Sequence, residues 1–102
     1  ILLIQSSFKM RLLTEIEIQE LVNQNPSWDL VNKGLEKEFK FDSFLEAINK
    51  MKALSVEVDK LNHHPEWKNV YRTVWVRITT HDAGGLTEKD IFLLNLINDY
   101  FD

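Results

Sequence analysis

Hydrophobic and polar residues alternate with a helical period in three stretches of the chain. The first opens with the capping-box sequence Thr14-Glu15-Ile16-Glu17, and its helix should end near Asn25 because Pro26 disfavours helical geometry in the residue before it. A C-terminal helix is predicted after the cap sequence Thr87-Glu88-Lys89-Asp90, with an apolar face made of Ile91, Leu94, Ile97 and Tyr100.

The longest helical pattern lies in the middle of the chain. Asp42 or Ser43 can cap this helix, and the pattern continues to about Leu61. Steps of three and four residues give it one apolar stripe, made of Phe44, Ile48, Met51, Leu54, Val58 and Leu61. The stripe predicts a helix of about four to five turns that packs against a core.

Two other regions alternate between apolar and polar residues, as β-strands do. Trp28–Val31 and Leu35–Phe41 flank the turn sequence Asn32-Lys33-Gly34 and are predicted to pair as a hairpin. The run from Val70 to Thr79 is predicted to hold one long strand or an extended segment that leads into one. Its apolar side carries Val70, Val74, Val76 and Ile78, with Arg72 as the exception. Asp82–Gly85 is predicted to be a loop.

The predicted elements follow the order helix, two strands, helix, one or two strands, helix. Long helices that alternate with an antiparallel-type sheet favour an α+β fold, a two-layer sandwich. The length of 102 residues fits a single domain over residues 1–102, in which residues 1–13 form a poorly defined N-terminal segment.

The composition narrows the classes of function. The chain has no cysteine, which removes zinc fingers, disulfide frameworks and thiolate nucleophiles and fits a reducing compartment. The formal net charge of −4 argues against direct nucleic-acid binding. No segment reaches the ~20 apolar residues of a membrane span. We therefore expect a cytoplasmic protein that binds neither membranes nor nucleic acid, with a targeting segment already removed as the alternative.

All three histidines lie between residues 63 and 81, and each comes just after a predicted element. His63 and His64 follow the long helix and His81 follows the predicted strand, so element ends that meet at one edge of the sheet would bring them together. Imidazole exchanges protons near neutral pH, and neighbouring carboxylates can fix its tautomer. Asp59 lies one helical turn before His63 and can face it, whereas Asp82 and Asp90 flank His81. The pattern predicts a cluster for acid–base catalysis.

The same residues have other interpretations. The adjacent histidines before Pro65 can be a polar helix exit, and His81 can be a turn residue. A metal site is a weaker alternative, because adjacent histidines are poorly placed for one ion and no His-x-x-x-His pair occurs. No serine lies in a Gly-x-Ser-x-Gly context, and Gly84-Gly85 lacks the lysine of a phosphate loop. Trp67 can pack in the core or form the wall of a pocket for a planar ring.

A set of short motifs at fixed spacing resembles the pterin-4a-carbinolamine dehydratases. The motifs are HHPEW at residues 63–67, NVY at 69–71, TTHDAGGLT at 79–87 and Asp90, with Asp59 four residues before the first histidine. The family often has Glu at position 59, Asp at position 62 and Arg at position 89, where this chain has Asp, Asn and Lys. The resemblance implies a four-stranded antiparallel sheet with helices packed on one face.

The resemblance implies a hydro-lyase that dehydrates 4a-hydroxytetrahydrobiopterin to the quinonoid dihydropterin. It assigns proton transfer to His63 and His81 and binding of the pterin chiefly to His64. Asp59 and Asp90 would orient the imidazoles, and Trp67 would form part of the wall. The remaining residues expected to line the site are Asn62, Thr79, Thr80 and Asp82.

The resemblance also implies the partners. The pterin is the substrate, and no metal or organic cofactor is expected. Family members form homodimers or homotetramers, and their activity serves aromatic amino acid hydroxylases in tetrahydrobiopterin recycling. The alternative function is a non-catalytic role as a dimerisation cofactor of a transcription factor, which would use an exposed face of the long helix at residues 43–61.

Overall fold

Three α-helices and four β-strands make up residues 11–102, the part of the chain that the computed structural model describes. The helices are α1 (Glu15–Gln24), α2 (Phe44–Leu61) and α3 (Glu88–Phe101). The strands are β1 (Asp29–Val31), β2 (Gly34–Lys40), β3 (Glu66–Val70) and β4 (Thr73–Ile78). A short 3₁₀ helix, His81–Ala83, lies between β4 and α3.

The helix starts predicted from capping residues are confirmed. Thr14 caps α1 through a reciprocal capping box with Glu17, and Ser43 caps α2 by accepting the backbone N–H of Glu46 at 3.0 Å. Thr87 is the N-cap residue of α3. The helix α1 ends at Asn25, the residue before the proline.

The four strands form one antiparallel sheet in the order β1-β2-β4-β3. Side chains of the central strand β4 alternate, so Val74, Val76 and Ile78 are fully buried while Trp75 and Arg77 lie on the opposite face. The helices α2 and α3 pack against each other and against the buried face of β4. The predicted α+β class, with helices on one face of a four-stranded antiparallel sheet, is confirmed.

The expectation of one long strand from Val70 to Thr79 is wrong. Tyr71 adopts a left-handed conformation with φ 54° and reverses the chain between β3 and β4. The side-chain amide of Asn69 donates to the carbonyl oxygens of Tyr71 and Thr73, so it stabilises the two sides of this turn. Neither Gly nor Pro marks the turn, and for this reason the pattern of the sequence did not reveal it.

The stripe predicted for α2 is partly wrong. Phe44 and Ile48 are 49% and 36% exposed, whereas Ala47 is fully buried together with Leu54. The face of α2 that meets the core therefore passes through Ala47 rather than through the larger residues beside it. The prediction followed side-chain size, and a small alanine at a close helix contact carries little weight in such a pattern.

Residues 11–13 join the start of α1 to the start of α3. Leu12 forms an isolated β-bridge with Thr87, and the N–H of the buried Leu13 donates to the carbonyl of Leu86 at 2.9 Å. Arg11 contacts Glu17 and Glu88, each at 2.9 Å. The other ten residues of the predicted N-terminal segment lie outside the described residues.

Within residues 11–102, no helix combines the length and the apolar character that crossing a membrane requires.

Candidate active site

A sharp helix exit places His63 and His64 at the C-terminal end of α2. Asn62 adopts a left-handed conformation with φ 57°, and its N–H donates to the carbonyl oxygens of Val58 and Asp59. Asparagine is one of the few residues that tolerate this conformation at low cost. The turn sends the two neighbouring imidazoles in different directions, one inward and one toward solvent.

His63 points inward and meets a buried carboxylate. Its Nε2 lies 2.6 Å from Oδ1 of Asp90, and its side chain is 11% exposed while that of Asp90 is 0% exposed. Because a carboxylate removed from water must be balanced by donors, Asp90 strongly constrains the orientation of the ring. The expectation that Asp59 faces His63 is wrong, because the helix exit at Asn62 turns His63 toward Asp90, a carboxylate that the sequence placed beside His81.

Two threonines complete the surroundings of Asp90. Its Oδ2 accepts the hydroxyl of Thr80 at 2.7 Å and the backbone N–H of Thr87 at 2.8 Å, and the two threonine hydroxyls lie 2.8 Å apart. Thr80, Thr87 and Asp90 are the buried polar residues of the described range, and both threonines bond to the carboxylate that holds His63. Every buried polar side-chain atom within residues 11–102 has a hydrogen-bond partner. The network is therefore fully satisfied.

His64 points toward solvent beside a groove. Its Nε2 lies 3.3 Å from Oδ1 of Asp59, and the two side chains are 55% and 85% exposed. The groove has a volume of about 650 Å³ and is lined by Ser55, Val56, Val58, Asp59, Lys60, His64, Pro65 and Trp67. An accessible imidazole beside a groove of this size can contact a small ligand.

Trp67 both packs in the core and lines a groove, as the two interpretations of the sequence suggested. Its ring is half-buried and stacks on Phe101 with centroids 6.4 Å apart and planes within 5°. The same side chain lines the groove beside His64. The indole is thus a core residue with one edge at the candidate site.

His81 begins the short 3₁₀ helix directly after Thr80, so one peptide bond links it to the buried network. Its side chain is exposed, and among residues 11–102 the imidazole forms no hydrogen bond or ion pair. Because Thr80 bonds to Asp90, its neighbour His81 lies at the same end of the sheet as Asp90. Its proximity to the other two imidazoles stays a prediction.

The remaining predicted residues are placed differently. Thr80 is buried and bonded to Asp90, so its hydroxyl belongs to the support of His63 and does not line an open pocket. The hydroxyl of Thr79 donates to the carbonyl of Lys33 at 2.8 Å, in the turn between β1 and β2. Asn62 and Asp82 are exposed. Binding of a ligand by any of these residues stays a prediction.

Sequence reasoning missed the part that Thr87 plays in the site. The residue was predicted only as the cap of α3, yet its N–H and hydroxyl both enter the network around Asp90. A signal was available, because Asp90 occupies the third position after Thr87, where a capping-box side chain reaches back to the cap. Asp90 therefore belongs both to the capping box of α3 and to the candidate site.

Comparisons with known proteins agree with one another. A family model described as Pterin 4 alpha carbinolamine dehydratase matches residues 11–100. Two similar chains are each named "Putative pterin-4-alpha-carbinolamine dehydratase". The one from Prochlorococcus marinus (strain NATL2A) is 40% identical over 87 residues, which cover 85% of this chain and 92% of that one. The one from Solibacter usitatus (strain Ellin6076) is 43% identical over 81 residues, or 79% and 85% of the two chains.

One solved structure has a very similar fold. It is a crystal structure titled as a transcriptional coactivator/pterin dehydratase from Brucella melitensis. The two chains are 34% identical, with a TM-score of 0.85 over 90% of this chain and 100% of that chain.

Proposed function

The chain belongs to the pterin 4 alpha carbinolamine dehydratase family, and on that premise we propose that it dehydrates 4a-hydroxytetrahydrobiopterin to the quinonoid dihydropterin. The observation that carries the proposal is His63, an imidazole at the edge of the sheet that a fully buried carboxylate holds in one orientation. A buried carboxylate that orients an imidazole is a recurrent arrangement in acid–base catalysis.

The reaction needs one acid and one base. The hydroxyl group leaves carbon 4a as water once it receives a proton, and a ring nitrogen loses a proton as the new double bond forms. We assign these two transfers to His63 and His81. His63 is supported by Asp90, and His81 is exposed next to the same network, so both imidazoles can exchange a proton with a bound substrate.

We assign His64 to binding of the pterin. Its exposure, its pairing with Asp59 and the groove of about 650 Å³ beside it all suit contact with a ligand. Trp67 would contribute an apolar wall. Asn62, Thr79 and Asp82 would contribute mainly through their backbone groups, since the hydroxyl of Thr79 is already engaged by Lys33.

In this proposal the pterin is a substrate and the protein carries no resident cofactor. Proton transfer by imidazoles is sufficient for the elimination of water. Treatment with a chelator should leave the rate unchanged, whereas inhibition that added metal reverses would contradict the proposal. The activity would serve an aromatic amino acid hydroxylase that releases the 4a-hydroxypterin, in tetrahydrobiopterin recycling.

A direct assay tests the function. Phenylalanine hydroxylase generates the 4a-hydroxypterin, and its ultraviolet decay is followed with and without this protein. We expect the protein to accelerate the decay and the double variant His63→Ala/His81→Ala to abolish the acceleration. A decay no faster than the uncatalysed rate, with protein shown to be folded by circular dichroism, would overturn the proposal.

A second candidate function is an interaction role, because the solved Brucella relative is titled as a coactivator as well as a dehydratase. Exposed apolar side chains on α2 favour it, namely Leu45, Ile48 and Val56. Such a surface would also suit the homodimer or homotetramer expected for the family. Light scattering on the wild type and on Leu45→Glu tests self-association, since a monomer at micromolar concentration in both would show that this surface does not mediate it.

A further inference from the structure

The hydrogen atoms around Asp90 have only one consistent arrangement. Thr80 has a single hydroxyl hydrogen, and its bond to Asp90 Oδ2 at 2.7 Å uses it. The contact of 2.8 Å between the hydroxyls of Thr80 and Thr87 must then be donated by Thr87. The hydrogens therefore point from Thr87 to Thr80 and from Thr80 to Asp90.

The carboxylate receives a second donor from the backbone. Its Oδ2 also accepts the N–H of Thr87 at 2.8 Å, and this hydrogen has a fixed direction because it belongs to a peptide group. A carboxylate offers only acceptor sites, so in this arrangement Nε2 of His63 supplies the hydrogen across the 2.6 Å contact with Oδ1. Nδ1, on the far side of the ring, is then the nitrogen that can take up and release a proton.

We propose that the hydroxyls of Thr80 and Thr87 are positioning groups that hold Asp90 as an acceptor and thereby fix His63 in the tautomer with its hydrogen on Nε2. The catalytic part of this inference rests on the proposed function. In the proposed reaction, Nδ1 of His63 is the nitrogen that faces the reacting pterin. Both hydroxyls act through Asp90, so neither needs to touch the substrate. Cooperative polarisation along the two hydroxyls strengthens the bond to the carboxylate.

A measurement on the resting protein tests the tautomer without any substrate. Long-range ¹H–¹⁵N correlation spectra of the ¹⁵N-labelled protein distinguish a protonated from a bare nitrogen in each imidazole. Across the pH range in which the ring of His63 becomes neutral, we expect its Nε2 to carry the hydrogen and its Nδ1 to be bare. The opposite tautomer in the wild type would overturn the proposal, and this result needs no variant to fold.

Variants then separate the effect of the two hydroxyl groups on the tautomer of His63 from the effect of side-chain packing. Thr80→Val removes the donor to Asp90 at nearly constant volume, Thr87→Val removes the donor to Thr80, and the corresponding serine variants keep each hydroxyl. We expect Thr80→Val to populate both tautomers of His63 and Thr87→Val to shift the population in the same direction to a smaller extent. Thr73→Val, which lies in β4 on the opposite face of the sheet, should leave the spectrum unchanged.

Kinetics give the second readout. We expect Thr80→Val to lower kcat by about 10-fold, the usual scale for a residue that orients a site residue, with little change in KM. Thr80→Ser should restore most of the rate. Spectra and rates of both valine variants that match the wild type would overturn the proposal. A shifted tautomer in a protein that never dehydrates the pterin would instead overturn the proposed function and leave the inference about the hydroxyls intact.

Discussion

Nε2 of His63 lies 2.6 Å from Oδ1 of Asp90, a contact that spans 27 positions of the chain and joins the exit of α2 to the first turn of α3. The carboxylate is fully buried, and its other oxygen accepts the N–H of the cap residue Thr87. One side chain therefore supports both the start of a helix and the orientation of an imidazole.

Asp90→Asn is expected to lose activity and stability together. The substitution keeps the shape of the side chain but removes the negative charge and puts an amide among groups that donate. We expect turnover to fall by about 10- to 100-fold and the free energy of unfolding to fall by about 1–3 kcal/mol. Initial rates and urea denaturation measure the two effects. Asp99→Asn, at an exposed position of the same helix, is the matched control, and equal turnover in the two variants would contradict the prediction.

His64→Ala is expected to weaken binding rather than chemistry. The imidazole is accessible and contacts only the exposed Asp59, so its loss should raise KM by about 10-fold, or about 1.4 kcal/mol, and change kcat little. Asp59→Asn should have a smaller effect, because an exposed pair contributes at most about 1 kcal/mol. Steady-state kinetics over a range of pterin concentrations measure both. A collapsed kcat with an unchanged KM would assign His64 to proton transfer instead.

Substitutions at Asn62 are expected to reveal the left-handed helix exit. Asn62→Gly should keep the fold, because glycine adopts φ 57° without strain, whereas Asn62→Val should lower the free energy of unfolding by about 1–3 kcal/mol. Denaturation curves measure this difference. Asn95→Val, at an exposed site inside α3, controls for the introduction of a β-branched residue. Equal stability of the glycine and valine variants at position 62 would show that the exit is not strained.

The N-terminal ion pair is expected to influence stability in acid. Hydrogen bonds from Arg11 and from the backbone of Thr14 lower the pKa of Glu17 from 4.5 to about 2. A carboxyl group with a lowered pKa in the folded state stabilises the fold above pH 4.5, and this contribution is lost as the pH falls from 4.5 through about 2.

Comparison of Glu17→Gln with the wild type tests this expectation. The wild type should be the more stable of the two at pH 6, and most of the difference should be lost at pH 2, as urea denaturation at both pH values will measure. Arg11→Ala should raise the pKa of Glu17 back toward 4.5 in a carboxyl NMR titration. Glu20→Gln, on the exposed side of the same helix, serves as the control. A pKa of Glu17 that Arg11→Ala leaves unchanged would contradict the role of the ion pair.

Local chemistry made much of the fold predictable. Capping residues such as Thr14 and Ser43 act within one helical turn, so the sequence alone located the starts of α1 and α2. The turn at Tyr71 was not predictable, because the amide of Asn69 stabilises a conformation that the turn residue itself does not favour. The exposure of Phe44 likewise depends on where α2 meets its neighbours, which is a property of tertiary packing.

The candidate site was predictable to the level of its residues but not of their partners. The histidines and Asp90 stand out in the sequence because imidazole and carboxylate groups are suited to acid–base chemistry. The sequence suggested Asp59 as the carboxylate that faces His63. This was wrong, because the left-handed turn at Asn62 directs His63 toward Asp90 and leaves Asp59 with His64. The sequence also did not reveal that Thr80 is buried, because threonine is mostly an exposed residue type.

Asp90 both caps α3 and orients His63, and these two roles affect how the sequence can change during evolution. A descendant that gave up the chemistry would still lose helix stability on replacing this carboxylate, so selection for folding alone would retain it. His63 caps no helix, and only its partnership with Asp90 and any bound ligand would keep it in place. Among distant descendants, the histidine would therefore be the informative marker of the proposed catalysis, whereas the aspartate would report the persistence of the fold.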